Sequence, residues 1–457
     1  MSDQIGIKNR IRKYKTGFRK GAGFFALAVV LLFSAMPVPV HAAHRLQDVG
    51  EKLVIVIDPG HGGKNEGTIE NGHLEKTMTM VTAMAMYEEL LKFDDVEIHL
   101  TRTDDRDISL EDRAAFAASV DADFLFSIHY NASANHELFG AEVWVSAFAP
   151  FNGYGYQFGN EILKDMRDIG LLIRGVRTKL GDGGDNFYGI IRYCEAAEVP
   201  AVIIEHCHVD EARDEGYCDS EEDLEAFGRM DAHAVARYFG LRSSELKVDY
   251  SGYPLAEASV SSPVELTRRD TTEPDICEID FLDADYPAGH LSLTVSAADY
   301  DSALLYYSYS LDGGQTFSVR EPWPGSDTLT GTYTDTFTLN LKIPSGVTPT
   351  VILRAYNMYD LYTESGSYIS PQAFGDIEPE EAVAVAAPAM TPEPPGEETA
   401  GELSSPADQD ADQDMEDMSS TGEVSFLTFL KLCLAVVIAV FALVVISQTI
   451  ARHRRRK

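Results

Sequence analysis

A chain of 457 residues is too long for one compact core, so two or three domains are expected. Its 45% apolar and 24% charged residues are ordinary for globular protein. The formal net charge of -36 argues against nucleic acid as a partner, because the phosphate backbone would repel it.

Residues 1–42 have the three-part layout of a secretory signal: bases from Lys8 to Lys20, an apolar stretch from Gly23 to Met36, then small residues at Val40 and Ala42. Cleavage is expected after Ala42, and 43–52 form a short N-terminal segment. Residues 53–241 alternate strand and helix patterns, which predicts an α/β domain with a mostly parallel sheet flanked by helices. Leu53 to Ile57 is a continuous apolar run, as in a strand covered on both faces. Leu74 to Lys92 reads as a helix, with Leu74, Met78, Val81 and Ala85 on one face. Val96 to Leu100 reads as strand, and Ser109 with Asp112 three positions on opens a helix. Further strands are predicted at Phe124 to Ile128, Ala141 to Val145 and Val202 to Glu205, with helices at Tyr154 to Arg167 and Glu221 to Phe239. Arg174 to Tyr188, rich in Gly, Asp and Lys, reads as a long loop.

After a linker over 242–274 the texture changes. Residues 275–375 hold short Val-, Thr-, Tyr- and Leu-rich runs separated by turn residues, the pattern of a small all-β sandwich-like domain. Asp312-Gly313-Gly314 is a hairpin turn signal. Ser310-x-Asp312-x-Gly314-x-Thr316-Phe317 resembles the Asp-box turn of some carbohydrate-active proteins, although a plain structural hairpin accounts for it. Residues 376–424 hold acids and prolines with no Lys or Arg and read as a disordered acidic stalk. Phe426 to Ser447 is an apolar run whose 22 residues reach about 33 Å as a helix. It reads as one transmembrane helix, followed by a basic cytoplasmic tail at 448–457. The chain is thus expected in the cell membrane, single-pass, with residues 53–375 outside. Of Cys194, Cys207, Cys218, Cys277 and Cys433, the first four lie outside the expected span. Their spacing gives no Cys-based zinc signature and leaves any disulfide pairing open.

Candidate metal ligands stand where strands end or helices begin. Asp58-Pro59-Gly60-His61-Gly62-Gly63 follows the first strand, Glu75 opens a helix, and His129 follows an apolar strand that presents its ring at the sheet edge. Each alone has a plain reading, as a satisfied turn histidine or a helix-start acid. Together, two histidines and one carboxylate with an open fourth position are what a hydrolytic zinc site needs. Glu205, at the end of Ala201-Val202-Ile203-Ile204, is then a candidate to deprotonate the attacking water.

These residues and their neighbours resemble the zinc-dependent N-acetylmuramoyl-L-alanine amidase family, the type 3 amidases of bacterial cell walls. The matching stretches run in family order: the Asp58-to-Gly63 turn, Leu74-Glu75-Lys76, Thr101-Arg102 with Arg113-Ala114, Leu125 to Asn131, and Pro200 to Glu205. The resemblance implies Zn2+ bound by His61, Glu75 and His129, with Glu205 as the catalytic carboxylate. It also implies peptidoglycan as substrate, cut between N-acetylmuramic acid and the L-alanine of the stem peptide. Where the family usually has a small residue, glycine and an aromatic after the glutamate, this chain has His206-Cys207-His208. A rival reading makes His206 or His208 a ligand. At i, i+2 they would share a face, as a second site would need, but we read them as surface polar residues.

Arg174, Arg177 and Lys179 are candidates to face the acidic stem peptide. The competing readings are a zinc peptidase cutting within the stem peptide and a non-catalytic wall-binding sensor. Because all four site residues precede Ser243, the β-domain is expected to be dispensable for bond cleavage. The oligomeric state is not legible in the sequence.

Overall fold

The computed structural model describes residues 52–255 and 264–375; the expected signal segment, stalk, membrane span and tail lie outside the described residues. In chain order the first part comprises β1 (Leu53–Pro59), β2 (Ile69–Glu70), β3 (His73–Leu74), α1 (Glu75–Leu90), β4 (Val96–Leu100), α2 (Leu110–Ser119), β5 (Phe124–Asn131) and β6 (Ala141–Val145). It continues with α3 (Phe151–Asp168), β7 (Ile173–Arg177), α4 (Gly189–Ala196), β8 (Ala201–His208), α5 (Ala212–Glu215) and α6 (Glu221–Tyr238). A two-residue-per-strand hairpin, β9 (Arg242–Ser243) and β10 (Val248–Asp249), ends it.

One sheet of order β4-β1-β5-β8-β6-β7 organises these elements. The pairs β1–β4, β1–β5, β5–β8 and β6–β7 are parallel, and only β6–β8 is antiparallel. The expected mostly parallel α/β sheet is therefore present. Its central strands carry apolar residues on both faces because both faces are covered. On one side α1, α3 and α6 pack together. On the other, α2 and α4 enclose Val56, Ala114, Leu125, Ile191, Cys194 and Ile203. None of the described helices is long and apolar enough to cross a membrane.

Two local expectations are corrected and one element is added. The buried face of α1 includes Glu75, Thr79 and Thr82 as well as Met78 and Ala85, while Val81 is only partly buried. Thr79 and Thr82 turn inward because they have partners there: Gly60 O for the first and the Tyr130 hydroxyl for the second. Arg174 to Arg177 is not loop but part of strand β7, with Gly175 at φ 105°. Residues 189–196, unassigned from sequence, form α4.

The second part comprises β11 (Ile276–Asp285), β12 (His290–Ala298), β13 (Leu304–Ser310), β14 (Glu321–Pro322), β15 (Thr336–Lys342), β16 (Thr350–Asn357), β17 (Tyr362–Glu364) and β18 (Tyr368–Ile369). One antiparallel sheet runs β11-β12-β15, and the other runs β14-β13-β16-β17 with β18 also on β16. Alternate residues of β12 and β16 point inward: Leu291, Leu293 and Val295 meet Val351, Leu353 and Ala355 around Trp323 and Phe374. The Asp312 carboxylate accepts from Gln315 N, Thr316 N and the Thr316 hydroxyl, and Ser310 donates to it. It closes its own turn, which is the structural hairpin reading.

The second half of the linker is docked. Asn152 Nδ2 donates to Val264 O at 2.7 Å, and Thr267 N donates to Ala147 O at 2.7 Å. Cys194, Cys207, Cys218 and Cys277 are buried free thiols.

Candidate functional site

The site is built on the C-terminal ends of β1, β5 and β8 and the first turn of α1. After β1 the chain reverses through His61, Gly62 and Gly63, all at positive φ (61°, 128° and 59°). Two buried arginines brace this turn. Arg102 donates from Nε to Pro59 O and from Nη2 to Gly60 O, and Arg113 donates to Pro59 O and to His61 O. Arg113 also meets the Asp58 carboxylate at 2.8 Å. Burial alone would raise the Asp58 pKa, but Arg113 and the Thr101 and Ser127 hydroxyls bring it below the ordinary value. Asp58, Arg102 and Arg113, quoted above only as motif matches, are thus the frame of the turn.

His61, Glu75 and His129 converge. Glu75 Oε1 lies 3.0 Å from His61 Nε2 and 3.2 Å from His129 Nδ1. The two rings stand edge to face with centroids 4.8 Å apart. All three side chains are buried, and one donor atom from each lies within 4.8 Å of the others. Asn65 Oδ1 sits 2.9 Å from His61 Nδ1, which leaves Nε2 turned to the centre of the group. Glu75 is fixed by Thr68 N on Oε2 and Tyr130 N on Oε1. Burial opposes its ionisation, yet the two imidazoles hold its carboxyl far below the usual range.

Glycine is required around this group. A Cβ on Gly60 would lie 2.4 Å from the His129 ring, and one on Gly67 would lie 2.6 Å from Glu75 Oε2 and 2.7 Å from His61 Cδ2. Two imidazoles and a carboxylate around one point form the N,N,O donor set of a hydrolytic zinc centre, so the residues present fit the metal. A second group, His73, Glu215 and Asp219, is partly exposed.

Glu205 lies on β8 as the Cα partner of His129 on β5 and of Glu142 on β6. Paired residues on adjacent strands share a face of the sheet, so His129, Glu205 and Glu142 form one row. Glu205 is 1% exposed. Sequence reasoning missed Glu142. Its Oε1 accepts from Asn131 Nδ2 at 2.8 Å and Trp144 Nε1 at 3.0 Å; its Oε2 accepts from Arg174 Nε at 2.8 Å and Arg177 Nη1 at 2.6 Å. Burial would raise its pKa, but Arg177 and Arg174 bring it down to about 2. The signal was available: a lone acid inside the apolar strand Ala141-Glu142-Val143-Trp144-Val145 is rare unless paired.

Arg174, Arg177 and Lys179 do not offer themselves to a stem peptide. The two arginines are 1% and 3% exposed and are committed to Glu142, and Lys179 lies over the Phe187 ring. His206 and His208 are buried, not surface residues, and they do not share a face. β8 carries an extra residue here, since His129 pairs with Glu205 but Asn131 pairs with His208. The bulge breaks the alternation of side chains. His206 stacks on Tyr130 and meets Asp231 of α6, whereas His208 faces Gly140 O.

A family model described as N-acetylmuramoyl-L-alanine amidase matches residues 55–237. The N-acetylmuramoyl-L-alanine amidase CwlM of Bacillus licheniformis is 36% identical over 190 residues, covering 41% of this chain and 69% of its own. The sporulation-specific N-acetylmuramoyl-L-alanine amidase of Bacillus subtilis (strain 168) is 31% identical over 193 residues, covering 42% and 69%. Among solved structures, the catalytic domain of CwlV from Bacillus (Paenibacillus) polymyxa var. colistinus is 27% identical with a TM-score of 0.35, covering 42% of this chain and 99% of that one. With its buried His61, Glu75 and His129 at the sheet rim and a relative 36% identical over 69% of that relative's length, the chain belongs to the N-acetylmuramoyl-L-alanine amidase family.

Proposed function

We infer that the chain hydrolyses the amide bond between N-acetylmuramic acid and the L-alanine of the peptidoglycan stem peptide, with zinc held by His61, Glu75 and His129. The observation that carries this reading is the buried convergence of these three side chains. Zinc, when bound, supplies Lewis acidity toward the scissile carbonyl and toward water. The chain's own residues do the rest. Asn65 and Glu75 orient the imidazoles, Arg102 and Arg113 fix the turn that carries His61, and Glu205 takes a proton from the attacking water and hands it to the leaving amine. The test is digestion of purified peptidoglycan by the zinc-loaded protein. Product peptides should begin with L-alanine; a new D-amino-acid terminus would assign a peptidase instead.

The basic and apolar stretches at the two ends of the sequence support a second part of the proposal: a cleaved signal and a single C-terminal membrane span that hold the enzyme outside the cell. Protease added to intact, wall-stripped cells should remove residues 53–375. Full protection would refute that topology.

A further inference from the structure

The sequence suggests that the β-domain is dispensable for bond cleavage, but the described residues 52–255 and 264–375 belong to one compact unit, and a shared charge network runs through the seam. Arg174 of β7 donates to Glu142 through Nε and to Asp360 Oδ2 through Nη2 at 2.7 Å. Arg177 meets Glu142 through Nη1 and lies 3.6 Å from Asp360 Oδ2 through Nη2. Asp360 belongs to the turn between β16 and β17, so two arginines of the catalytic half are held between a carboxylate of their own half and one of the other.

We propose that Asp360 is a positioning residue for the amidase site: it fixes Arg174 and Arg177, which in turn hold Glu142 in the row it shares with Glu205 and His129. The proposal deepens the amidase reading and rests on it.

Charge balance argues for this role. Arg174 and Arg177 are almost wholly buried. Two buried guanidiniums against Glu142 alone would leave an uncompensated buried cation, which is strongly unfavourable. Asp360 supplies the second anion; the buried Arg320 of the β-domain meets its other oxygen at 3.2 Å and is itself balanced by Glu137 at 3.5 Å. The turn is rigid where it matters, because Asn357 Oδ1 accepts from both Tyr359 N and Leu361 N. The Arg177 guanidinium also lies 5.3 Å from the Trp144 ring centroid and 5.1 Å from that of Tyr359, one ring from each half. Apolar side chains pack beside the network: Leu138 and Phe139 meet Leu305, Tyr306 and Tyr356, and Tyr306 also touches Arg174. Dry surroundings of this kind strengthen each charged contact.

The path to the reaction is short. Glu142 Oε1 holds Asn131, two residues beyond His129 on the same strand. Without Asp360, Arg174 keeps Glu142 and the Tyr306 hydroxyl at 2.8 Å but loses the anion on Nη2, so its guanidinium can tilt about those two contacts, and Glu142 and Asn131 shift with it. Sub-ångström misplacement around a reacting centre costs rate more than binding. Asp360 reaches Glu142 only through Arg174 and Arg177, so its loss should appear in kcat and not in KM.

The experiment uses the full, zinc-loaded chain and a soluble muropeptide. Asp360→Asn keeps the size of the side chain and removes the charge. It should keep its zinc, lose about tenfold or more in kcat and hold KM within about twofold. Asp360→Glu should recover part of the loss. Arg167→Ala breaks another contact across the seam, Arg167 with Asp327 at 3.0 Å, and should keep the parent kcat. A parent-like kcat in Asp360→Asn overturns the proposal, as does an equal loss in Arg167→Ala, which would make the effect one of general docking. If Asp360→Asn does not fold, Asp360→Asn/Arg320→Met, which removes an anion and a cation together, is read the same way. Misfolding of both while Arg167→Ala folds also overturns it, in favour of a purely structural role. Absence of product from the parent protein would instead sink the amidase reading.

Discussion

Glu142 and Glu205 stand side by side on one sheet face, but four donors enclose Glu142, two of them guanidinium groups. A carboxylate fixed in this way is poorly placed to exchange protons near neutral pH, since its pKa is held at about 2. In the proposed mechanism proton transfer is assigned to Glu205, which lies outside the group of possible metal ligands among the described residues. Glu205→Gln should keep its zinc and its fold and lose roughly 10²–10⁴-fold in rate. Zinc stoichiometry and amidase rate on the same preparation decide the matter, and loss of zinc together with activity would make Glu205 a ligand. His208 gives a pH prediction. Burial, with Arg174 adding to it, pushes its pKa down to about 4 from the usual 6.5. Above 6.5 both folded and unfolded chains hold it neutral. Between 6.5 and 4 the unfolded chain takes up a proton that the folded one refuses, so stability falls as pH falls through this window, by on the order of 3 kcal/mol in full. Asp214, pushed up to about 6 by burial, works in the opposite sense, so the informative quantity is a difference between variants. His208→Gln should lose less melting temperature than the parent between pH 6.5 and pH 4; parallel curves would refute the assignment.

At the scale of elements, most of the sheet was legible because its central strands are continuous apolar runs, a pattern fixed by burial on both faces. The grouping of His61, Glu75 and His129 was legible too, since histidine and glutamate together at the ends of strands and the start of a helix have few structural reasons to recur there. What escaped was decided by tertiary partners. Strand β7 reads as loop because its Arg174, Gly175 and Arg177 look solvated; they are buried only because Glu142 and Asp360 await them. The inward face of α1 is partly polar because Glu75 and Thr79 serve the site, and no periodicity in apolar residues announces that. The bulge in β8 separates His206 from His208 without a glycine or proline to mark it. Helix packing supplies a further prediction. A Cβ at Gly228 in α6 would lie 2.2 Å from Thr82 O and 2.8 Å from Met86 N in α1. In an unencumbered helix Gly→Ala stabilises by about 1 kcal/mol. Here the helices must separate, so Gly228→Ala should destabilise by about 1–3 kcal/mol and lower the melting temperature. A variant that melts at or above the parent would show that the contact yields easily.

For the whole molecule, the seam between the halves is the feature least legible in sequence. Its charged members, Glu142, Arg174, Arg177, Arg320 and Asp360, span more than two hundred positions, and nothing in their local patterns ties them together. The ordering of the four site residues before Ser243 suggested that cleavage needs only the first half. The geometry argues otherwise. A chain ending at Leu241 loses Asp360, which leaves Arg174 and Arg177 with excess positive charge beside Glu142. It uncovers Leu138 and Phe139, which pack against Leu305, Tyr306 and Tyr356 in the intact protein. It also loses the strap at Val264 and Thr267, which holds Asn152 and Ala147 at the start of α3. Uncovered apolar side chains of this size favour association between copies, and an unpaired buried cation draws water into the sheet edge. The fragment covering residues 43–241 should therefore melt several degrees below the full chain and aggregate more readily. Its soluble, zinc-loaded fraction should cut muropeptides about tenfold or more slowly than the intact protein. Thermal unfolding and specific activity per bound zinc, measured on both proteins, provide the check. A fragment that matches the full chain in both would restore the independent catalytic half that the sequence suggested and would remove the β-domain from the architecture of the site.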